Sequence, residues 1–184
     1  MAVGQRNFLR SAIDPIADIS RLCKWLWMTS EDRFFCAVAS RRLIRPAVRA
    51  IVRSESGFLV QRPTDAPNGH YAFIGGEYEL GDSFDERIRK EFEEETTARV
   101  LKAEYRFVVE NRFLWRGQLI QTLEHYFEVE LDRVEVESNE PHLEQVWLLP
   151  RVFAQADVRP TVVRDMLTIG DWLNTRHLAV DLSQ

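Results

Sequence analysis

Cysteine is scarce in this chain, and the little there is makes no pattern. Cys23 and Cys36 are the only two in 184 residues, and their spacing fits no zinc or redox motif. Two buried free thiols in a reducing cytoplasm are the expectation, ahead of a disulfide. Long apolar runs are missing as well. No stretch approaches the length of a membrane span, and no apolar segment of signal-peptide length follows Arg6 and Arg10. Basic runs are equally short: "SRRLIR" at 40–45 is the longest and reads as a solvated strand entry. Lys and Arg number 24 against 29 Asp and Glu, for a net charge of −5, which argues against nucleic acid as a partner. There is no internal repeat and no low-complexity segment. These absences lead to the expectation of a cytoplasmic protein with neither a membrane nor a nucleic-acid partner.

What is present suits one medium domain with an appendage. The chain is 45% hydrophobic, enough for a sizeable core. Residues 1–43 read as an N-terminal helical extension and residues 44–184 as the main domain. In the extension, "DPIADISRLCKWLWM" places Asp14 as N-cap and Pro15 at the first helical position. Ile16, Ile19, Leu22, Cys23 and Leu26 then share one stripe. Packing on the domain is the ordinary use of such a stripe, with a homodimer contact or a lid over a ligand as the others. From residue 44 strands dominate. "RPAVRAIVR" (45–53) alternates with Val48, Ala50 and Val52 on one side, and "FLVQR" (58–62) returns as its hairpin partner. "HYAFI" (70–74) is a short strand. "AEYRFVVEN" (103–111) and "TLEHYFEVEL" (122–131) alternate, joined through "RFLWRGQ". In the second, Leu123, His125, Phe127, Val129 and Leu131 face one way and Glu124, Tyr126, Glu128 and Glu130 the other. "LEQVWLL" (143–149) is a last strand, and residues 159–173 a closing amphipathic helix with Pro at its start. The mixture predicts an α/β (α+β) domain: a mixed β-sheet with flanking helices.

The segment "GGEYELGDSFDERIRKEFEEET" (75–96) carries the chemistry. Read as a helix from Ser83, it has a capping box, Ser83 with Glu86, and a buried stripe of Phe84, Ile88 and Phe92. Glu91, Glu94 and Glu95 cluster away from that stripe, so like charges face one another at a cost of roughly 0.2–0.5 kcal/mol per pair. A solvated acidic face is one reading of such a run. The other is a set of oxygen ligands on one helical turn, suited to a hard divalent cation such as Mg²⁺ or Mn²⁺, whose binding turns repulsion into coordination.

This stretch resembles the Nudix box: Gly, five residues, Glu, seven residues, Arg-Glu, an aliphatic position, one residue, Glu-Glu, one residue, Gly, an aliphatic position. Gly76 opens it, and Glu91, Glu94 and Glu95 stand at its metal-binding glutamates. Asp82 replaces Glu, Lys90 replaces Arg, and Thr97 replaces the Gly that ends the helix; Ile74 stands where Pro often precedes the glycines. Lys90 lacks the planar fork of Arg, and Thr97 would be strained at positive φ. The resemblance implies a Nudix-like sheet sandwiched between helices and a metal held by Glu91, Glu94, Glu95 and Gly76. It implies hydrolysis of a nucleoside diphosphate linked to another moiety, a nucleotide-type small-molecule substrate. Glu94 or Glu95, or a later glutamate (Glu140 or Glu144), would serve as general base. Arg45, Arg62 and Arg112 are candidates for phosphate contacts, and Phe113, Trp115 and Trp147 for stacking on a base. A nucleotide-binding sensor without hydrolysis is the alternative that the Lys90 and Thr97 departures keep open. An isoprenyl diphosphate isomerase would want a cysteine in the domain core, and both cysteines precede residue 44. His125, on an apolar strand face, reads as a core histidine.

Overall fold

A computed structural model describes residues 28–41, 43–66 and 69–180. Four helices and eight strands follow one another as α1 (Ser30–Arg41), β1 (Arg45–Ser54), β2 (Gly57–Pro63), β3 (Tyr71–Ala72), α2 (Phe84–Glu95), β4 (Val100–Trp115), β5 (Gln118–Leu131), β6 (Leu143–Leu148), α3 (Pro150–Phe153), β7 (Val158–Arg159), α4 (Thr161–Ile169) and β8 (His177–Ala179). The expected helix beginning at Asp14 lies outside the described residues.

The strands β1 and β2 begin as a tight hairpin, paired over Val52–Ser54 and Gly57–Leu59, and then separate. Residues 74–78 run along the edge of β1 that β2 leaves. Val48 N–H donates to Gly76 O at 3.0 Å, Ala50 N–H to Ile74 O at 2.9 Å, and Tyr78 N–H to Pro46 O at 3.0 Å. Gly75 makes the approach feasible: its φ is +134°, and a Cβ there would collide with the Val48 carbonyl. On its other edge β1 pairs in parallel with β5, which pairs antiparallel with β4. On its other edge β2 pairs antiparallel with β6 from Phe58 to Pro63, and after the split it pairs with β3 at Gln61. The mixed sheet is therefore forked, and the fork opens beside the two glycines.

Each face of the sheet buries its own cluster. Val48, Ala50, Val52, Ile74, Phe127 and Val129 meet Ile88 and Phe92 of α2. Ile51, Val60, Phe107, Val109 and Tyr126 meet Val163, Met166 and Leu167 of α4. The expected sheet between helices is thus what the chain forms.

Several local readings need correction. "RFLWRGQ" is no separate connection: β4 and β5 form one long hairpin whose registered pairing continues to Trp115–Gln118. Arg116 (φ 48°) and Gly117 (φ 77°) make its two-residue turn, the left-handed pair that matches strand twist. Along the polar side of β5, Thr122, Glu124 and Tyr126 are buried, Glu128 is half-buried and Glu130 is exposed. Burial is complete only where the strand is flanked on both edges and covered. The strand expected at 70–74 is two residues long, because the chain leaves β2 to join β1. The closing helix stops at Ile169, where Gly170 takes φ 78° as a left-handed cap.

The end of α2 also differs from a glycine-capped one. Thr96 turns extended (φ −139°, ψ 166°), and among described non-glycine residues only Arg116 has positive φ. Thr97 is therefore unstrained. The last carbonyls are met from the loop before β6: Asn139 Nδ2–H donates to Thr96 O at 2.6 Å and to Glu93 O at 3.2 Å, and Asn139 N–H to Glu95 O at 2.9 Å. Asn139→Ala should accordingly destabilise the protein by about 1–2 kcal/mol, as for a lost cap. Thr97→Gly should be neutral or destabilising by up to ~1 kcal/mol through added chain entropy. Thermal melts check both; a stabilising Thr97→Gly would contradict this account of the helix end.

Candidate functional site

The helix α2 starts on the capping box read from sequence: Ser83 Oγ accepts from Glu86 N–H at 3.2 Å, and Glu86 Oε2 accepts from Ser83 N–H at 2.7 Å. Ile88 and Phe92 are fully buried, and this rotation carries Glu91 inward too, to 3% exposure. Beside it lies Arg87, 6% exposed. Its Nε–H donates to Glu91 Oε1 at 2.7 Å, its Nη2 also reaches that oxygen, and Nη2 donates to Glu94 Oε2 at 3.0 Å. Glu79 and Asp82 stand 3.4 and 3.9 Å from its Nη1. One buried guanidinium thus holds four carboxylates together. Lys90 does not orient the glutamates; its Nζ donates to Asp82 Oδ1 at 2.5 Å. Two of the three substituted box positions thus pair with each other, and Arg87 supplies the fork.

Gly76 is where this helix face meets the strands. A Cβ on Gly76 would lie 2.6 Å from Glu91 Oε2 and nearer still to Oε1, so only glycine lets the buried carboxylate seat there. One turn on, Glu95 is largely buried, and its Oε2 has no hydrogen-bond partner. Burial, with the Glu91 charge next to it, pushes the Glu95 carboxyl up to about 7. Burial also raises Glu91, against the pull of Arg87. Glu94 is exposed and Glu93 points away from the group. Arg49 lies close by and donates to the Phe73 and Gly75 carbonyls.

The cleft in the fork has a volume of about 280 Å³ and includes Gly75, Gly76, Glu95, Arg45, Arg49 and Arg62 in its lining. Of the arginines expected at phosphates, two are here. Arg45 is 9% exposed, 3.2 Å from Glu77, and burial lowers its pKa. Arg62 is bonded to Glu144 and 3.3 Å from Tyr71 Oη. Arg112 is not in the lining: on β4 it alternates with Asn111 and Phe113, which are, and its Nε is buried without a partner. Glu144 sits outside the lining as partner of Arg62. Glu140 likewise stays outside, 3.5 Å from His142. Of the rings considered for stacking, Phe113 lines the cleft. Trp115 packs behind it against Phe35, and Trp147 belongs to the α2 side, its Nε1–H donating to Val134 O at 2.9 Å. His125 packs among Phe84, Tyr105 and Phe127, where burial lowers its pKa.

Sequence reasoning missed Arg87, Arg49 and the polar floor of Asn111, Thr122 and Glu124. Arg87 was legible: it stands four residues before Glu91 and seven before Glu94, on the same helical face. Arg49 could be read from its place with Arg45 on the side of β1 opposite Val48 and Ala50. Glu124 gave no signal, because its burial depends on both neighbouring strands.

The donor set fits a hard divalent cation. Glu91, buried, and Glu95, half-buried, offer carboxylate oxygens one turn apart, Glu95 Oε2 is an orphan, and the Gly76 carbonyl accepts one bond, from Val48 N–H. Among the described residues no three acidic, His or Cys side chains already converge on one point; Arg87 holds Glu91 and Glu94 instead.

A family model described as NUDIX domain matches residues 43–167. No curated protein sequence matches the chain. Among solved structures the chain is similar to a MutT protein from Methanosarcina mazei Go1, at 21% identity and TM-score 0.57, over 71% of this chain and 95% of that one. A NUDIX hydrolase from Nitrosomonas europaea gives 19% identity and TM-score 0.59, over 77% and 80% of the two chains. A MutT protein from Bacillus halodurans gives 17% and 0.57, over 68% and 82%. At these identities the likeness is one of fold.

The buried pair makes a pH-dependent prediction for the metal-free protein. A carboxyl raised from 4.5 to about 7 contributes stability that is present below its unfolded pKa and lost as pH rises through the folded one. Glu95→Gln cannot charge. It should match the wild type near about pH 5 and exceed it near about pH 8 by on the order of 1–3 kcal/mol. Denaturant melts in chelator test this; a difference that does not grow with pH would contradict the burial of a charged Glu95.

Proposed function

The chain belongs to the Nudix family, and on that premise we propose that it is a Mg²⁺- or Mn²⁺-dependent hydrolase. It cleaves the pyrophosphate bond of a nucleoside diphosphate linked to another moiety. The observation that carries this reading is Glu91 seated against Gly76 with Glu95, one turn on, in the lining of an arginine-walled cleft and its Oε2 lacking any partner. Burying two carboxylates one turn apart costs stability unless a cation takes them up.

Glu91, Glu95 and the Gly76 carbonyl would hold the ion. Glu94 joins as a third ligand or stands as base. When bound, the ion neutralises phosphate charge and lowers the pKa of the attacking water. Arg87 fixes Glu91 through Oε1 and leaves Oε2 free of that bond. Arg45, Arg49 and Arg62 supply positive charge along the wall where a diphosphate would lie. Water oxygen bonds to phosphorus, the bridging P–O bond breaks, and the bridging oxygen leaves with one phosphate. The proton from water goes to a carboxylate. Glu94, exposed and one turn from Glu91, is the favoured acceptor; Glu144 would first have to release Arg62. The departures at Lys90 and Thr97 were the reason to entertain a non-hydrolysing sensor. Lys90 is engaged with Asp82 and Thr97 lies beyond the helix, so neither weakens the carboxylate set.

A screen of nucleoside triphosphates, nucleotide sugars, ADP-ribose and dinucleoside polyphosphates with Mg²⁺ or Mn²⁺ identifies the substrate by its products. On that substrate Glu95→Gln should lower kcat by orders of magnitude, while the exposed control Glu93→Gln stays near wild type. If the two variants behave alike, the glutamate run is a solvated helix face and the hydrolase reading fails.

A further inference from the structure

The matched family span begins at residue 43, yet α1, which precedes it, forms one wall of the cleft. Ser30, Glu31, Phe34, Phe35 and Val38 all line the cleft. The helix buries only Val38 and contributes to neither core cluster. What it packs on is a set of rings. Phe35 stands 5.5 Å from Phe113 edge-on, 5.9 Å from Trp115 and 6.4 Å from His70, and Phe34 lies over the Arg45 guanidinium at 4.9 Å. Polar straps hold it there from three other segments. Ser30 N–H and Oγ–H donate to Asp65 at 2.8 and 2.9 Å, Arg116 reaches Asp32 at 2.7 Å, and Arg41 reaches Glu77 at 2.8 Å.

In the same lining is a buried carboxylate that the hydrolytic reading does not use. Glu124 is 5% exposed and lines the cleft. Its Oε1 accepts from Thr122 Oγ1–H at 2.8 Å and Asn111 Nδ2–H at 3.1 Å, and its Oε2 from Tyr126 Oη–H at 2.8 Å. All three donors are neutral; the Arg45 charge is near enough to be felt, but no cation makes a direct salt bridge with this carboxylate. Oε1 has its two donors; Oε2 has one and can take another. A carboxylate has no proton to give, so this floor asks for a ligand that presents a donor. The aromatic wall asks for a flat face. A heteroaromatic base with a ring or exocyclic N–H meets both demands, and Arg45 and Arg49, which line the same cleft, suit the phosphates attached to it.

We propose that α1 closes a nucleobase compartment in which Phe35 packs on the face of the base and Glu124 Oε2 accepts one of its N–H groups. The compartment rests on the nucleotide reading above, and Phe35 and Glu124 are its specificity-determining residues. Selection among bases then lies partly in a helix outside the matched span, with an edge-reading acceptor on β5.

The test is binding, without metal and without turnover. The full chain is titrated calorimetrically in chelator with AMP, GMP, CMP, UMP and ribose 5-phosphate. At least one nucleotide should bind about tenfold or more tighter than ribose 5-phosphate, the scale of one base stacked on an aromatic ring. Phe35→Leu, which keeps apolar volume but loses the flat face, should erase most of that advantage and leave ribose 5-phosphate binding unchanged. Phe35→Tyr should restore it. Glu124→Gln, which exchanges one acceptor for a donor, should reorder the bases. The proposal is overturned if ribose 5-phosphate binds as tightly as every nucleotide, or if Phe35→Leu weakens all ligands equally or none. An unchanged base order in Glu124→Gln removes Glu124 from the compartment. Base-dependent binding by a protein that hydrolyses nothing would sink the hydrolase reading and leave the compartment standing. Hydrolysis with no base preference in binding would do the reverse.

Discussion

Arg87 is the cation on which this site turns. It is buried in α2 with Glu79, Asp82, Glu91 and Glu94 around it. A helix face this acidic could not be turned toward a sheet without a permanently charged, forked partner inside it. Even so, the compensation is incomplete. Glu95, one turn beyond Glu91, receives no bond from Arg87, and its carboxyl is left near neutrality by burial and by the Glu91 charge. Arg49, the Gln61 side chain and the Gly75 backbone offset part of this, so a partly compensated carboxyl lines the cleft, an arrangement that would suit a divalent ion.

The backbone around the site is arranged to permit that burial. Glu91 can seat only because Gly76 has no Cβ, and Gly76 lies there because residues 74–78 take the edge of β1 that β2 relinquishes. Gly75, at φ +134°, lets that segment approach Val48. The same divergence of β1 from β2 opens the cleft, so Glu95 and the arginines of β1 and β2 line one space. Asn139 and the loop before β6 close the far end of α2, which frees Thr97 from the role a glycine would have had.

Legibility from sequence followed the range of the interactions. Features set within a few residues were readable: the Ser83 capping box, the stripe of Ile88 and Phe92, the breadth of β1, and the spacing from Gly76 to the glutamates. The two-residue turn at Arg116-Gly117 was also local, but an arginine at positive φ carries little sign of it, and the hairpin was read too short. Features set by distant packing were not readable. Glu124 sits in an alternating pattern that looks solvent-facing, and becomes a floor only because β1 and β4 flank its strand. Arg62 and Arg112 looked alike as strand-end arginines. The pleat of β4 takes Arg112 off the cleft, and pairing of β2 with β6 puts Arg62 on it.

The central claim is that Glu95 is a high-pKa carboxyl waiting for a cation. Carbon-13 NMR of the side-chain carboxyls, assigned with Glu95→Gln, tests it directly. In chelator one glutamate should titrate near about 7, and saturating Mg²⁺ should carry that titration down by two or more units, as charge at the site would require. If every glutamate titrates in the ordinary range near about 4.3, or if Mg²⁺ leaves the high one where it was, the account is wrong.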